Sequence, residues 1–370
     1  MATRFKPKAR KGSRLMPVIN SDVAGIDIGA TEIYVALPPE RDDEPVRCFS
    51  SFTEDLHAIA DWLAACEVKS VAMESTGVYW IALFQILEAR GFEVCLVNAR
   101  HVKNVPGRKS DVSDCQWLQY LHSVGLLRAA FRPPQAVCAV RAILRHRESL
   151  IQLACTHVQH MQKALTQMNL QLHHVLSDLT GKTGLAIVSA ILEGERDPNV
   201  LAKLRDYRIK ASEQTVAKAL VGDYRPEHLF TLGQALQSYR HYQRLMSECE
   251  SEIERQLHTF ESRVDPAAEA LPPRSAASKK SQGKAWQFDL RTELYRILGV
   301  DLTTVPALEV TTIHTVFTEI GGDISAFPTD KHFCSWMGLC PDNRISGGKV
   351  LSVRTRPVKS RAAAALRMAA

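Results

Sequence analysis

The hydrophobic pattern near the start of the chain predicts three short strands in succession. The apolar runs are rich in β-branched residues and are separated by turn formers; they are VAGIDI, EIYVALP and VRCFS, at residues 23–28, 32–38 and 46–50. Beyond them, helical and strand-like periods alternate. Helices are predicted for DLHAIADWLAAC, VYWIALFQILEAR and SDVSDCQWLQYLHSVG, and strands for VKSVAMES and EVCLVNA, which lie between those helices.

The resulting order of elements, βββαβαβα, indicates a mixed sheet. Its first three strands form an antiparallel meander, and its later strands arrive through helical crossovers. This order is that of a ribonuclease H-like fold. We therefore predict a ribonuclease H-like domain over residues 21–140.

Two later segments carry apolar residues at spacings of three and four, as in a coiled-coil seam. The first seam comprises Ile151, Ala154, Val158, Met161, Leu165 and Met168. The second comprises Leu232, Leu236, Tyr239, Met246, Cys249, Ile253, Leu257 and Phe260. We predict a helical coiled-coil region over residues 141–264, whose seams pair either within the chain or between protomers.

Composition predicts a linker, a C-terminal domain and an N-terminal arm in the rest of the chain. Residues 265–288 are rich in Pro, Ala, Ser and Lys, which predicts a flexible linker. Residues 289–370 are expected to form a small, mostly helical C-terminal domain, with two short helices around a turn at Pro306. Residues 1–20 are expected to form a flexible basic arm. The predicted fold class is thus α/β plus all-α.

The composition fits a folded protein of the cell interior. The chain has 370 residues, 45% of them hydrophobic and 23% charged, which suffices for a substantial core. The apolar stretch around Trp80 is too short to span a bilayer, and the basic start lacks a secretory signal. We expect a soluble, cytoplasmic, nucleoid-associated protein without a membrane partner. Nine cysteines without a CxxC pair predict reduced, mostly buried thiols.

Positive charge gathers at both ends of the chain, whose net charge is +6. The first basic group comprises Arg4, Lys6, Lys8, Arg10, Lys11 and Arg14. The second comprises Arg344, Lys349, Arg354, Arg356, Lys359, Arg361 and Arg367. Two such groups suit a phosphate-rich partner such as nucleic acid. The alternative is a solvated tail and a soluble C-terminal surface.

Four carboxylates are expected at one end of the predicted sheet. Asp27 and Glu74 end two strands that would be neighbours, and Asp111 and Asp114 share one face of a helix packed on that sheet. Carboxylates so close together repel unless a cation neutralises them, and Mg²⁺ prefers oxygen ligands. We therefore predict a divalent-metal site of the kind that cleaves phosphodiesters. The alternative for each acid alone is an exposed strand end or helix cap.

Two glycine-containing segments allow further interpretations. GIDIGATEIYVAL resembles the phosphate loop of actin-like ATPases, but that fold needs a second such loop in a duplicated domain, and the later chain is helical. In NRISGGKVLSVRTR, Ser346 precedes two glycines that permit close approach of a phosphate. Arg344, Lys349 and Arg354 would activate this serine, which makes it a candidate nucleophile. The alternative is a simple turn.

Taken together, the motifs resemble the insertion-sequence 110 family of transposases, the DEDD transposases. The resemblance rests on GIDIGA, MESTGVYW, VNARHVKNVPGRKSDVSDCQWLQ, HTVFTEIGGDISAF, FCSWMGLCP and ISGGKVLS. It implies a RuvC-like domain, a helical coiled-coil region and a C-terminal transposase domain that carries a serine. It also implies that the four carboxylates Asp27, Glu74, Asp111 and Asp114 bind Mg²⁺, with Mn²⁺ as a substitute, and that Ser346 is the nucleophile.

In such enzymes, a serine supplied by another protomer attacks a DNA phosphate, forms a covalent phosphoserine and exchanges strands through a Holliday junction. The resemblance implies donor and target DNA, a structured noncoding guide RNA, and a homo-oligomer, either a dimer or a tetramer. Contacts with nucleic acid are assigned to Lys103, Arg108, Lys109, Arg344, Lys349, Arg354 and Arg356.

Two departures from the family pattern leave alternatives open. The turn VPALE lacks the glycines of a phosphate-binding helix-hairpin-helix, which favours a packing role. The chain ends at SRAAAALRMAA, inside a helix that family members continue, so we expect a truncated copy. The alternatives are a hydrolytic RuvC-type junction nuclease, which needs only the four carboxylates, and an inactive remnant that binds nucleic acid.

Overall fold

The computed structural model describes most of the chain, and its contacts form two compact units. The described residues are 16–75, 77–98, 111–271, 286–341, 343–355, 358 and 360–370, without the side chains of residues 111–113 and 344. The units are Met1–Arg132 and Pro133–Ala370. Outside the described residues lie most of the predicted basic arm, the middle of the predicted linker, and the assigned nucleic-acid contacts Lys103, Arg108, Lys109 and Arg356.

The first unit contains the predicted mixed sheet, and the predicted order of elements, βββαβαβα, is confirmed. The elements are β1 (Val23–Ile28), β2 (Glu32–Ala36), β3 (Val46–Ser50), α1 (Thr53–Ala65), β4 (Ser70–Glu74), α2 (Trp80–Ala89), β5 (Glu93–Val97) and α3 (Asp111–Ser123). The strands lie in the order β3-β2-β1-β4-β5. The meander β1-β2-β3 is antiparallel, whereas β4 runs parallel to both β1 and β5.

Period-two alternation along the strands assigns each side chain to one face of the sheet. On one face, residues such as Ile26 and Met73 pack with apolar side chains of α1 and α2. On the other face, Ala72 packs with Leu118 and Leu121 of α3. Both faces are therefore covered, which explains why β4 is buried along its whole length.

Helix α3 lies directly on the backbone of β1 at Gly25. A Cβ atom at this position would be 2.2 Å from the carbonyl oxygen of Cys115 and 2.3 Å from the backbone nitrogen of Gln119. No side chain fits between the strand and the helix there. The glycine is therefore required by close approach of two backbones.

The second unit is built mainly from helices. They are α4 (Gln135–Gln167), α5 (Leu172–Val175), α6 (Lys182–Leu192), α7 (Pro198–Ala202), α8 (Glu213–Ala219), α9 (Pro226–Leu257), α10 (Leu290–Leu298), α11 (Val310–Ile320), α12 (Asp330–Trp336) and α13 (Arg361–Ala369). A short 3-10 helix spans Leu302–Thr304, and the strands β6 (Arg344–Ser346) and β7 (Lys349–Ser352) form a hairpin. The described part of this unit contains no second mixed sheet, so the duplicated domain of the actin-like alternative is not found there.

The long helices α4 and α9 carry the two apolar seams, and they pack against each other within one chain. Residues of both seams, among them Met161 and Leu236, lie in one core cluster together with side chains of α6. A coiled-coil arrangement of these helices stays a prediction, as do the boundaries drawn from the sequence. Helix α4 begins at Gln135, before the domain boundary predicted at residue 140.

A buried ion pair joins α4, α9 and the chain that precedes α10. Arg147 donates from Nε to Glu250 Oε1 over 2.9 Å, and both side chains are almost inaccessible to solvent. The Arg147 guanidinium lies 4.3 Å from the ring centre of Trp286, and the backbone nitrogen of Gln287 donates to Glu250 Oε2 over 3.1 Å. Because both charges are compensated, the pair tolerates its burial.

His314 of α11 is buried beside this ion pair. Its ring is T-shaped to Trp286 at 5.2 Å, and neither ring nitrogen has a hydrogen-bond partner within the part of the chain described. Burial first, and then the charge of Arg147, lower the pKa of His314 to about 3. The imidazole is therefore neutral in the folded protein at neutral pH.

The described part of the chain has free thiols and no membrane-spanning helix. Across the described residues, no helix is both long enough and apolar enough to cross a membrane. All nine cysteines are free thiols, but only Cys66, Cys95, Cys115 and Cys249 are buried, while Cys48 and Cys155 are exposed.

Replacing Gly25 by alanine should lower the free energy of unfolding by about 1–3 kcal/mol, because the new Cβ forces α3 away from β1. Gly233→Ala is the matched control, since a Cβ there meets only Leu192 Cδ2 at 3.5 Å inside helix α9. That variant should be unchanged or more stable by up to about 1 kcal/mol. Equal urea midpoints for Gly25→Ala and the wild type would refute the close contact.

The neutral His314 should make folding sensitive to acid. Because its pKa is lowered on folding, the unfolded chain binds the proton more readily, and stability falls as pH drops from about 6.5 towards about 3. Between about pH 7 and about pH 5 this histidine should cost about 2 kcal/mol, a loss that His314→Leu should lack. His241→Leu replaces an exposed histidine and should keep the wild-type dependence in urea titrations. Identical pH profiles for His314→Leu and the wild type would contradict the assignment.

Candidate active site

Asp27 and Glu74 lie on neighbouring strands at the carboxyl end of the sheet. Strands β1 and β4 are parallel, and Ile26 is paired with Met73 in their register. Asp27 follows the first of these residues and Glu74 follows the second. The two carboxylates therefore occupy equivalent positions on adjacent strands, as the sequence predicted.

Both carboxylates belong to the face of the sheet that α3 covers. Asp27 lies two residues after Gly25, which contacts α3, and Glu74 lies two residues after Ala72, which packs with α3. Glu74 is buried, at 8% exposure, and Asp27 is partly buried. The alternation of the strands thus directs two acids toward the same helix.

Helix α3 brings Asp114 to this edge. The helix starts at the carboxyl end of the sheet and runs to the opposite end, where His122 Nε2 lies 2.7 Å from Ser70 Oγ at the start of β4. Asp114 occupies its first turns and is partly buried. The residue after it, Cys115, is the one whose backbone contacts Gly25.

The Cys115 thiol responds to both nearby acids. Burial first, and then the charges of Asp27 and Asp114, raise the pKa of this thiol to about 12. Asp114 directly precedes Cys115, whose carbonyl oxygen lies against Gly25, and Asp27 lies two residues beyond Gly25 on β1. Asp27 and Asp114 therefore approach the same point between β1 and α3.

The fourth predicted acid, Asp111, is the first residue of α3, and its side chain lies outside the described residues. Among the side chains that are described, no group of three or more His, Cys, Asp or Glu residues is arranged to hold a metal ion. The three described acids still offer only oxygen donors, the type that Mg²⁺ and Mn²⁺ accept. The donor chemistry therefore fits a hard divalent ion.

Ser346 lies at the tip of the β6-β7 hairpin and is exposed. Gly347 and Gly348 follow it with φ of 55° and 76°, the positive values that a type I′ turn needs at both central positions. Ser346 is paired with Lys349 across the turn, so the two side chains project from the same face. The predicted glycine loop is thus a tight hairpin turn that presents a serine beside a lysine.

Helix α13 supports the chain on both sides of this hairpin. Its Ala362 and Ala363 pack with Met337, which precedes the hairpin, and with Val358, which follows it. Arg367 also donates to the carbonyl oxygen of Gly338 over 2.8 Å. The last helix of this sequence therefore buries apolar surface against the base of the serine hairpin.

The remaining predicted basic residues are placed only in part. Lys349 and Arg354 are exposed, whereas the side chain of Arg344 lies outside the description. The acids belong to the first unit and Ser346 belongs to the second.

Sequence interpretation missed the role of Gly25. A glycine inside a strand pattern signals a bulge or close approach of another backbone, and that signal was present in VAGIDI. It also missed that Val78 and Tyr79 are exposed in a turn beside the acidic edge, the carboxyl end of the sheet where Asp27 and Glu74 lie. Both residues were predicted to begin a helix, which instead begins at Trp80. The tertiary structure was needed to show that Gly25 contacts a helix and that the residues before α2 are exposed.

Comparison with known families gives two matches. Residues 24–170 match the family model of DEDD-type IS110 transposases, described as "Transposase". Residues 301–370 match the model described as "Transposase IS116/IS110/IS902 family". No curated protein matches the sequence. The two matches cover the acidic residues and the serine hairpin respectively, and the chain belongs to the IS116/IS110/IS902 family of transposases.

Proposed function

We propose that this transposase cleaves and transfers DNA strands at a Mg²⁺ centre held by Asp27, Glu74, Asp111 and Asp114. The observation that carries the proposal is the convergence of Asp27 and Glu74, from adjacent parallel strands, on the face that α3 covers with Asp114. Mn²⁺ is expected to substitute, because it accepts the same oxygen ligands.

The protein's part in this chemistry is to hold charge in a fixed place. The sheet orients Asp27 and Glu74, and the absence of a side chain at Gly25 lets α3 lie close enough to bring Asp114 to the same edge. A divalent ion at this edge would offset the charge of a phosphodiester and stabilise a leaving oxygen. Rigid mounting of the acids favours that role, since misplaced ligands lose most of their effect.

Ser346 is the proposed nucleophile. Its hydroxyl loses a proton as Oγ forms a bond to phosphorus, the bond from phosphorus to a deoxyribose oxygen breaks, and that oxygen takes up a proton. The result is a phosphoserine ester, from which the strand can be transferred by the reverse exchange. Its exposure at a tight turn and the neighbouring Lys349 support this role, since a cation stabilises the phosphate charge.

The proposed partners are donor DNA, target DNA, a structured noncoding guide RNA and further copies of this chain. Family membership supports DNA as the substrate. The guide RNA and a dimer or tetramer rest on the resemblance of the motifs and on the basic residues Lys103, Arg108, Lys109, Arg344, Lys349, Arg354 and Arg356. The serine would reach the acids of another protomer.

Replacing Asp27 by asparagine should abolish strand cleavage, because the substitution removes a charged metal ligand while keeping its size. We expect a loss of at least about 100-fold, since even outer partners of metal ligands contribute about 10- to 100-fold. Cleavage would be measured on DNA that flanks the gene, with RNA transcribed from that region and with Mg²⁺ or Mn²⁺. Asp43→Asn, which changes an exposed acid of the same unit, should cleave normally. Normal cleavage by Asp27→Asn would refute the metal site.

Replacing Ser346 by alanine should abolish a covalent protein–DNA adduct that denaturing gels detect in the wild type. Ser352→Ala, in the opposite strand of the hairpin, should retain the adduct. Full cleavage by Ser346→Ala would refute the nucleophile. Metal-dependent nicking by the wild type without any adduct would instead indicate the hydrolytic nuclease. A wild type that binds RNA but transfers strands no better than Asp111→Ala would indicate the inactive remnant.

A further inference from the structure

Large apolar side chains are exposed on the first unit beside the acidic edge. Phe52 is 77% exposed, Val78 is 68% exposed and Tyr79 is 53% exposed. Single exposed apolar residues are ordinary on protein surfaces. Here, two of them are consecutive and include an aromatic ring, in the turn that follows β4.

Sheet topology places this turn at the end where the acids lie. Strand β4 ends at Glu74, and the chain then passes through Gly77 to Tyr79 before α2 begins. Strand β3 also ends at this side, because it is antiparallel to β2, which is antiparallel to β1. Phe52, just after β3, therefore flanks the same end of the sheet.

The Tyr79 ring is held in place by its own turn. Gly77 has a φ of 60°, and a Cβ there would lie 3.5 Å from both Cδ2 and Cε2 of Tyr79, so the ring lies against the glycine. Trp80 donates from Nε1 to the Gly77 carbonyl oxygen over 3.2 Å. One part of the ring is thus supported and the rest is open to solvent.

The support behind the turn is itself well packed. Trp80 and Phe84 are T-shaped at 5.6 Å, and the Arg132 guanidinium lies 4.1 Å from the ring centre of Phe84. Arg132 also pairs with Glu88 over 3.1 Å. A ring that is fixed before a ligand arrives loses little conformational freedom on binding.

We propose that Tyr79 is a stacking platform for an unpaired base of the DNA strand bound at the acidic edge, with Val78 extending its apolar surface. Aromatic rings stack on any base, which suits an enzyme that accepts different sequences. A strand whose phosphate lies at the acids carries bases a short distance away, within reach of a turn that begins just after Glu74. Tyr79 is then a substrate-positioning residue. This inference rests on the proposed function, which supplies the strand.

The test uses the full chain and a thymidine-rich single-stranded oligonucleotide in which 5-iododeoxyuridine replaces one thymidine. Binding and photo-crosslinking are measured with Ca²⁺ in place of Mg²⁺, so that the charge of the acids is offset and neither readout depends on cleavage. We expect a crosslink that mass spectrometry maps to Tyr79, and an affinity about 10-fold weaker for Tyr79→Ala, which has lost one stacked base. Tyr79→Phe should retain wild-type affinity. The matched control is Tyr207→Ala, which removes an 86% exposed tyrosine of the second unit and should change nothing.

The proposed stacking role would be overturned if Tyr79→Ala bound the oligonucleotide with wild-type affinity and the wild-type protein gave no crosslink at Tyr79. Unchanged DNA binding together with loss of self-association in Tyr79→Ala would also overturn it and assign the turn to a protein contact. Failure of the proposed function is distinguishable: Asp27→Asn would cleave normally, while the crosslink and the weaker binding of Tyr79→Ala would persist. Circular dichroism and the Tm of Tyr79→Ala, expected to equal those of the wild type, exclude unfolding as the cause.

Discussion

The arrangement of the acidic site depends on one contact, that between the backbones of β1 and α3 at Gly25. A side chain at this position would overlap the Cys115 carbonyl oxygen and the Gln119 nitrogen. Without it, the helix approaches closely enough for Asp27 and Asp114 to influence the same buried thiol. The sheet alone would align Asp27 with Glu74, but a third carboxylate from a different element requires the helix to be held at this distance. The absence of a side chain at Gly25 therefore sets how closely α3 lies on the strands of the proposed site.

Within the second unit, charge compensation in the core has a comparable effect. Arg147 and Glu250 are buried together, and the backbone of Gln287 and the ring of Trp286 complete their surroundings. Removing either charge would leave the other uncompensated, which is far more costly than the pair itself is stabilising. The pair thus specifies how the two long helices meet the chain that leads to α10. His314 is buried beside this ion pair and is neutral, because burial and the charge of Arg147 lower its pKa.

The two candidate chemical groups are mounted in different ways. The acids lie on strands and on a helix inside a covered sheet, where packing restricts their movement. Ser346 lies on an isolated two-stranded hairpin, a structure that is only marginally stable by itself, and Ile345 and Val350 around it are exposed. Helix α13 fixes the base of this hairpin and leaves its tip open. In the proposed mechanism, the metal centre is held rigidly by the fold. The surroundings of Ser346 are instead completed when the hairpin contacts DNA and another protomer.

The sequence by itself determined the order of the elements in the first unit, the strand ends that carry Asp27 and Glu74, and the glycine turn after Ser346, because alternation, helical periodicity and turn chemistry are local properties. It did not determine which seams would meet: only the tertiary structure showed α4 packing on α9 within one chain. The close approach at Gly25 and the exposure of Tyr79 were likewise decided by the tertiary structure. Burial and backbone contacts arise between segments that are far apart in the chain. A local pattern shows which face of a segment is apolar, but it does not show which other segment will cover that face.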